Sequence, residues 1–389
     1  MVKLEDLDIP YPDPSEKAYN NVIKLAYFLV ERVLKDSLEF YGSENLEEQH
    51  YQIFLANHKF YTDPILLQVA IAISSDNGNP IPAPAYKSYI KHPALGPIMT
   101  KLYSYPIYGK EDGYKIKEKS MQYSVESFVK QKRILVFPEG RISHDGLLSL
   151  GRIGSSEIAW RAYHDMNYDK DGKPESQKKK IKIIPTEISY SPIGGIPLKD
   201  MDEMTIRFGK SIDFEEEVIK QYNSIKYKFH KDKKKVKRNL QIKLMRKVMK
   251  EIGLLTTLNI DNLGSRVLYD FAEKKRDVMK IDHFHEMIQN MANNLKESEN
   301  FYMLNHLKNP MMLRTRTEDF LDRCRKKGAL NNNEIYSDLI HLNLDYILKE
   351  HDFFDVRNDN IIKYNYNLLE HLTPAKKIIN KELKNIRRR

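Results

Sequence analysis

The chain has 389 residues, 41% hydrophobic and 30% charged, with 24 Tyr, 15 Phe and one Trp, which excludes a disordered chain and allows two or more units with sizeable cores. The single cysteine, Cys324, excludes an internal disulfide and a thiolate cluster for zinc or iron–sulfur, and points to a reducing cytoplasm. A net charge of +10, from 64 Lys and Arg against 54 Asp and Glu, favours an anionic partner: nucleic acid, an anionic lipid surface or a phosphorylated substrate.

The first residues carry Glu5, Asp6, Asp8 and prolines, which is not the pattern of a basic, then apolar, signal sequence. From Glu16 to Tyr41 apolar residues including Val22, Ile23, Leu25, Ala26, Phe28 and Leu29 recur at helical spacing among charges, which predicts an amphipathic helix. That helix either packs on the core or lies in a membrane interface.

"YQIFLA" (Tyr51–Ala56) reads as a buried strand, and "DPILLQVAIAI" as a helix with Asp63 at the N-cap and Pro64 at its first position. That apolar run is far short of the ~20 residues that a membrane-spanning helix needs. Further strands are predicted at Tyr103–Tyr108, Ile134–Phe137, Ile181–Tyr190 and Met204–Phe208, with helices at Lys115–Lys130 and Ser155–Tyr163. The alternation predicts a layered α/β fold with a mostly parallel central sheet flanked by helices. The polar stretch His164–Lys180 reads as an exposed loop. Beyond Glu215 strand signals nearly vanish, and "KYKFHKDKKKVKRNLQIKLMRKVMKEIG" (Lys226–Gly253) predicts a basic helix followed by mostly helical sequence. Residues 1–45 are thus expected to be a helical segment, 46–214 a catalytic core and 215–389 a helical, basic region.

Two strand-to-loop transitions carry candidate chemistry. In "FLANHKFYTDP", His58 and Asp63 are separated by four residues just past a buried strand, the edge where α/β proteins build sites. An Asp there can accept the ring Nδ1–H, fix the tautomer and leave Nε2 to take a proton from a hydroxyl. His164 and Asp169 repeat the spacing in the polar loop, so spacing alone does not discriminate. In "RILVFPEGRIS" a second strand delivers Glu139, Gly140, Arg141 and Ser143; Gly140 permits close backbone approach, and Arg141 can grip a phosphate. "LGRIGSSEIA" then places Arg152 and Gly154 just before a helix N-terminus suited to anions.

"NHKFYTD", followed about eighty residues later by "VFPEGRIS" and then by a glycine pair and "IIPTEISY", resembles the phospholipid/glycerol acyltransferase superfamily, which includes lysophosphatidate and glycerol-3-phosphate acyltransferases. The order and spacing match across about residues 22–214. The resemblance implies a layered acyltransferase core, His58 as general base, Asp63 as its orienter, and Glu139 and Gly140 in the acceptor site, with Pro185 on the fourth motif; Asn57, Arg141, Ser143, Arg152 and Gly154 are the further candidates for binding substrate. It implies direct attack of a glycerol hydroxyl on an acyl thioester, with acyl-CoA or acyl-ACP as co-substrate, no cofactor and no metal. No acyl-enzyme is needed, in keeping with the absence of a nucleophile in the first motif. Two departures stand out: Arg141 follows Gly140 directly, and the middle motif offers Gly109 and Lys110 where an arginine is usual, making Lys110 a stand-in.

The implied partners are a glycerol-phosphate acceptor (glycerol-3-phosphate or 1-acylglycerol-3-phosphate), the acyl thioester, acyl carrier protein as its carrier, and an anionic membrane surface. The expected location is cytoplasmic, peripheral on the inner membrane face. Nucleic acid is not expected, because no recognised module accompanies the charge. "DHFHEM" places His283 and His285 two apart on a predicted helix, facing different directions, and reads as packing and surface. The competing reading is a non-catalytic lipid- or protein-binding module that keeps the fold.

Overall fold

The computed structural model describes residues 16–34, 38–47, 49–75, 80–93, 96–108, 112–143, 147–169, 171, 173–191, 203–226, 232–296, 302–303, 305–331, 339–348, 360–369, 376, 378–380 and 383. Helix α1 (Glu16–Leu34) leads to strand β1 (Leu38–Tyr41), β2 (Tyr51–Ala56), helix α2 (Asp63–Ile73), strand β3 (Ala83–Tyr86), the short helices α3 (Lys87–Ile90) and α4 (Gly96–Lys101), and β4 (Ser104–Ile107). Then follow α5 (Tyr114–Gln131), β5 (Arg133–Val136), α6 (Gly154–Asn167), β6 (Ile181–Ser191), β7 (Glu203–Phe208), β8 (Ile212–Asp213), α7 (Lys220–Lys226) and α8 (Lys233–Leu254).

The central sheet has the order β1-β7-β6-β2-β5, with β8 added on β6. Strands β5, β2 and β6 are mutually parallel, β7 runs antiparallel to β6, and β1 is parallel to β7. β2 is buried on both faces, as a parallel strand between two layers should be. Its Ile53 and Leu55 join Val136, Phe128, Ile158 and Leu244 on one side, while Phe54 and Ala56 join Leu67, Ile71 and Leu135 on the other. Each such side chain contributes roughly 1.5–3 kcal/mol on burial, so the layers fix the sheet that presents the site.

Three expectations need correction. Residues Leu38–Tyr41 were assigned to the N-terminal helix but form β1, because Leu38 and Phe40 pack on the second face of the sheet and hydrogen-bond in register with β7. The segment predicted at Tyr103–Tyr108 does form a strand, but it pairs with β3 in a separate two-stranded sheet. The basic helix belongs to the core layer and not to a separate region, since Leu240, Leu244, Met245, Val248 and Ile252 of α8 share one hydrophobic cluster with Ile53, Val136 and Ile183.

α1 sits on α2 through Tyr19 and Ile23, against Val69, Leu102 and Tyr103. Beyond α8 a second core forms around α9 (Ile260–Glu273), α10 (Ile281–Lys296) and α11 (Pro310–Lys326), with the helix Ile361–Leu369 laid against α9. Among the described residues no helix is long and apolar enough to cross a membrane.

Candidate active site

The register of the sheet brings the two loops together. Leu55 stands opposite Val136, and Ala56 opposite Thr186, so the residues that follow leave one edge side by side. Asn57 continues the pairing with its side chain: its amide Nδ2 donates to the Ile188 carbonyl (3.3 Å) and its Oδ1 accepts from the Ile188 N–H (2.9 Å). Asn57 is buried and both its polar atoms are used, so it splints the loop.

His58 follows. Its Nδ1 lies 3.1 Å from Asp63 Oδ2, and its ring stacks on Phe137 with centroids 4.1 Å apart. Asp63 is completely buried, and the same Oδ2 accepts from the backbone N–H groups of Lys59 (2.5 Å) and Phe60 (2.8 Å). The other oxygen, Oδ1, accepts from the Tyr190 hydroxyl. Asp63 is not the helix cap, as expected from sequence: Thr62 is the N-cap, and Asp63 is the first residue of α2, with Pro64 after it. Its side chain turns back onto the loop, where four donors meet it. A carboxylate that accepts from Nδ1–H leaves Nε2 as the lone-pair nitrogen. The other pair of the same spacing dissolves: His164 lies on α6 against Trp160 and Tyr168, and Asp169 accepts from the N–H groups of Asp171 and Lys173.

The second loop opens with a tight turn in which the Gly140 N–H donates to the Phe137 carbonyl (3.0 Å). Gly140 has φ +66°, which favours glycine, and a Cβ there would come within 3.0 Å of the Arg152 guanidinium carbon. Glu139 is buried, with Oε1 accepting from the His58 N–H (3.4 Å) and Oε2 from both the N–H and the hydroxyl of Ser149 (3.0 Å each). Burial pushes its carboxyl above the usual range, offset in part by those hydrogen bonds. Glu139 therefore ties three chain segments together. The Ser143 N–H donates to the His58 carbonyl (2.7 Å), and its hydroxyl donates to the Leu147 carbonyl. Ser143 thus also holds the loops. Arg141 and Arg152 are both exposed, Gly154 begins α6, and Lys110 lies outside the described residues.

Beside this edge lies a groove of about 960 Å³ between β5, α5 and α6. Val136, Phe137, Gly140, Arg152, Ser155 and Ile158 line its inner part. Phe137 therefore touches the groove on one side and His58 on the other. An ion pair from Arg161 to Glu118 closes the outer wall, and Glu157 beside it receives Arg161 Nε, Gln241 Nε2 and Lys237 Nζ. Burial raises the Glu157 carboxyl, but those three donors outweigh it and hold it below the usual range. Among the described residues no cluster of His, Cys, Asp and Glu could hold a metal.

Sequence reasoning missed a second buried pair. Lys59 Nζ lies 2.9 Å from Glu187 Oε1, both almost fully buried, and the Ser189 hydroxyl donates to the same oxygen (2.6 Å). The signal was available: Glu187 is a charged residue within the otherwise buried strand "IIPTEISY", and such a residue needs a buried partner.

Residues 37–189 match the family model described as Acyltransferase. The core of this chain is an acyltransferase domain. Both loops of the site, and the Lys59–Glu187 pair, fall within the matched residues. Among solved structures the acyltransferase is similar to the 1-acyl-sn-glycerophosphate (LPA) acyltransferase PlsC from Thermotoga maritima, at 16% identity over 57% of this chain and 78% of that one, with a TM-score of 0.37. No curated protein matches it.

Proposed function

We propose that this acyltransferase is a glycerolipid O-acyltransferase, moving a fatty acyl group from a thioester to a hydroxyl of a glycerol-phosphate acceptor, with His58 as general base. The observation that carries the reading is the buried Asp63 carboxylate 3.1 Å from His58 Nδ1, which leaves Nε2 to act beside an apolar groove. In the first step Nε2 takes the acceptor's hydroxyl proton as its oxygen attacks the thioester carbonyl; in the second the C–S bond breaks, and the imidazolium returns the proton to the departing thiolate. No group in the loop serves as a covalent nucleophile, so attack is direct. The groove suits an acyl chain, because Val136, Phe137, Met121 and Ile158 line it. Arg152 and the N-terminus of α6 at Gly154 suit the acceptor's phosphate, the helix end contributing N–H donors and a favourable dipole. Acyl-CoA and acyl carrier protein both present the required thioester.

The setting we propose is the cytoplasmic face of a membrane, held peripherally. Leu25 and Phe28 of α1 are more than half exposed, and Lys233, Lys234, Lys235 and Arg238 at the start of α8 face solvent. Lys237, by contrast, is committed to Glu157 and lies over the Trp160 ring, so it does not belong to that basic face.

The test measures thiol release from palmitoyl-CoA and from palmitoyl-acyl carrier protein, each with glycerol-3-phosphate and with 1-oleoylglycerol-3-phosphate, for wild type and His58→Ala. The expected result is turnover with at least one pair, lost by a factor of about 10² or more in the variant, the scale of general-base assistance. Absence of turnover with every pair, or turnover untouched by the substitution, overturns the reading.

A further inference from the structure

The residues that hold the His58 loop are themselves held from beyond the matched domain. At Thr257 the chain leaves α8 and enters the C-terminal region, and there it docks on β6. The Thr257 N–H donates to the Ser189 hydroxyl oxygen (3.2 Å), and Asn259 Nδ2 donates to the Tyr190 carbonyl (2.9 Å). Thr257 is fixed in turn by Arg207 Nε (2.8 Å) and the Thr205 hydroxyl (3.0 Å) of β7. All of these residues are buried.

From that joint two lines of hydrogen bonds run to the loop. One passes through Tyr190, whose backbone meets Asn259 and whose hydroxyl donates to Asp63 Oδ1. The other passes through the Ser189 hydroxyl to Glu187 and on to Lys59. Both end on residues flanking His58. The ring of Tyr190 is also pinned, meeting Phe60 edge-on with centroids 4.7 Å apart. Without the tyrosine hydroxyl, Asp63 keeps its three donors on Oδ2 and loses the donor on Oδ1 that sets the plane of the carboxylate.

We propose that Tyr190 is a positioning residue for the His58–Asp63 pair, and that Thr257–Asn259, the start of the C-terminal region, holds Tyr190 in place. This rests on the assignment of His58 as the base. It gives the helical region after α8 a part in the reaction: it is the outer support of the strand that orients the orienting carboxylate.

Two conservative substitutions separate this role from plain stability. Tyr190→Phe keeps the ring and removes the hydroxyl that donates to Asp63. Asn259→Asp keeps the acceptor that caps α9, where Asn259 Oδ1 receives the Asn262 N–H (3.0 Å), and replaces the donor to the Tyr190 carbonyl with a carboxyl oxygen that meets that carbonyl as a second acceptor. With the donor–acceptor pair of highest turnover, Tyr190→Phe is expected to lower kcat about 10-fold or more at nearly unchanged KM, since loss of alignment alone costs up to ~10²-fold. Asn259→Asp lowers kcat in the same direction, and the double variant falls no further than the worse single one, because both act along one line. A readout independent of turnover is the Nδ1–H resonance of His58 in protein labelled with ¹⁵N-histidine, assigned by its loss in His58→Ala. It is expected to shift or to broaden by exchange in both variants, each confirmed folded by its urea midpoint. If Tyr190→Phe fails to fold, Asn259→Asp decides. Unchanged kcat and an unchanged resonance in a folded variant overturn the proposal. Turnover that survives in His58→Ala would instead sink the base assignment, while the resonance still reports whether Tyr190 orients the pair.

Discussion

Cutting the Lys59–Glu187 pair on one side should cost far more than removing it altogether. The two charges stand 2.9 Å apart with side chains 4% and 0% exposed. At an effective dielectric constant near 20 their attraction is about 6 kcal/mol, and the loss of hydration offsets most of it. The pair is therefore nearly neutral as a whole, yet either partner left alone is a buried charge without compensation. Lys59→Met leaves Glu187 with the Ser189 hydroxyl on Oε1 and with no partner for Oε2 among the described residues. It is expected to destabilise the domain by about 3–5 kcal/mol. Lys59→Met combined with Glu187→Leu removes both charges in kind and should recover most of that loss, less about 1 kcal/mol for the Ser189 hydroxyl that then lacks its acceptor. Urea unfolding followed by the fluorescence of Trp160, the single tryptophan, reports the core that holds the pair. A cycle of the two single variants and the double variant gives the coupling directly. Single substitutions that each cost under about 1 kcal/mol, or a double variant whose loss is the sum of the two, would refute the argument.

Three more outcomes are expected. Burial holds the Glu139 carboxyl above its ordinary value of 4.5, so the folded chain binds that proton more tightly than the unfolded one. Its stabilising contribution is thus full below that value and is lost as pH rises to the elevated one; the stability of wild type relative to Glu139→Gln should fall as pH rises above 4.5, and a difference that rises or stays flat contradicts it. Gly264→Ala puts a methyl group 2.3–2.8 Å from the Phe320 ring inside the C-terminal core; despite a gain in helix propensity it should destabilise by about 1–2 kcal/mol in urea unfolding followed by circular dichroism, and a stabilised variant would show looser packing. Neutralising Lys233, Lys234, Lys235 and Arg238 together should weaken co-sedimentation with phosphatidylserine vesicles, by about 1 kcal/mol for each charge near the surface, and flatten its salt dependence; binding that is salt-independent in wild type points to Leu25 and Phe28 instead.

Much of the catalytic core was legible because its strands are short runs of buried, β-branched and aromatic residues bounded by turns, and these signals are local. Tyr51–Ala56 and Ile181–Tyr190 are of this kind. β1 was hidden because Leu38 continues the apolar spacing of α1, and only pairing with β7, far away in sequence, makes the segment extended. The same limit explains the site. His58 and Asp63 lie close in sequence and could be read as a pair; Tyr190 and Glu187 reach the loop across 127 and 128 residues, and Asn259 reaches it through Tyr190, 69 residues away, distances that no local pattern encodes. Glu139 and Asn57 show the converse. Their identity marks the two loops, but a polar side chain next to a site is as easily used to build it as to touch a substrate, and the burial and hydrogen bonds that give them a structural part are not legible in sequence.

The level at which β2 and β5 end, alongside Thr186 of the longer β6, sets a rule for which changes in length the enzyme can absorb. Side chains alternate along a strand, so one residue inserted within Tyr51–Ala56 would turn Phe54 and Leu55 to opposite layers and carry His58 to the wrong face of the edge. The exposed residues 176–178, which precede β6 at the far end between the Asn167 contacts at Glu175 and Lys179, carry no strand register. Variation in length should therefore gather at that far rim, and the edge that bears the histidine should keep its spacing to the residue.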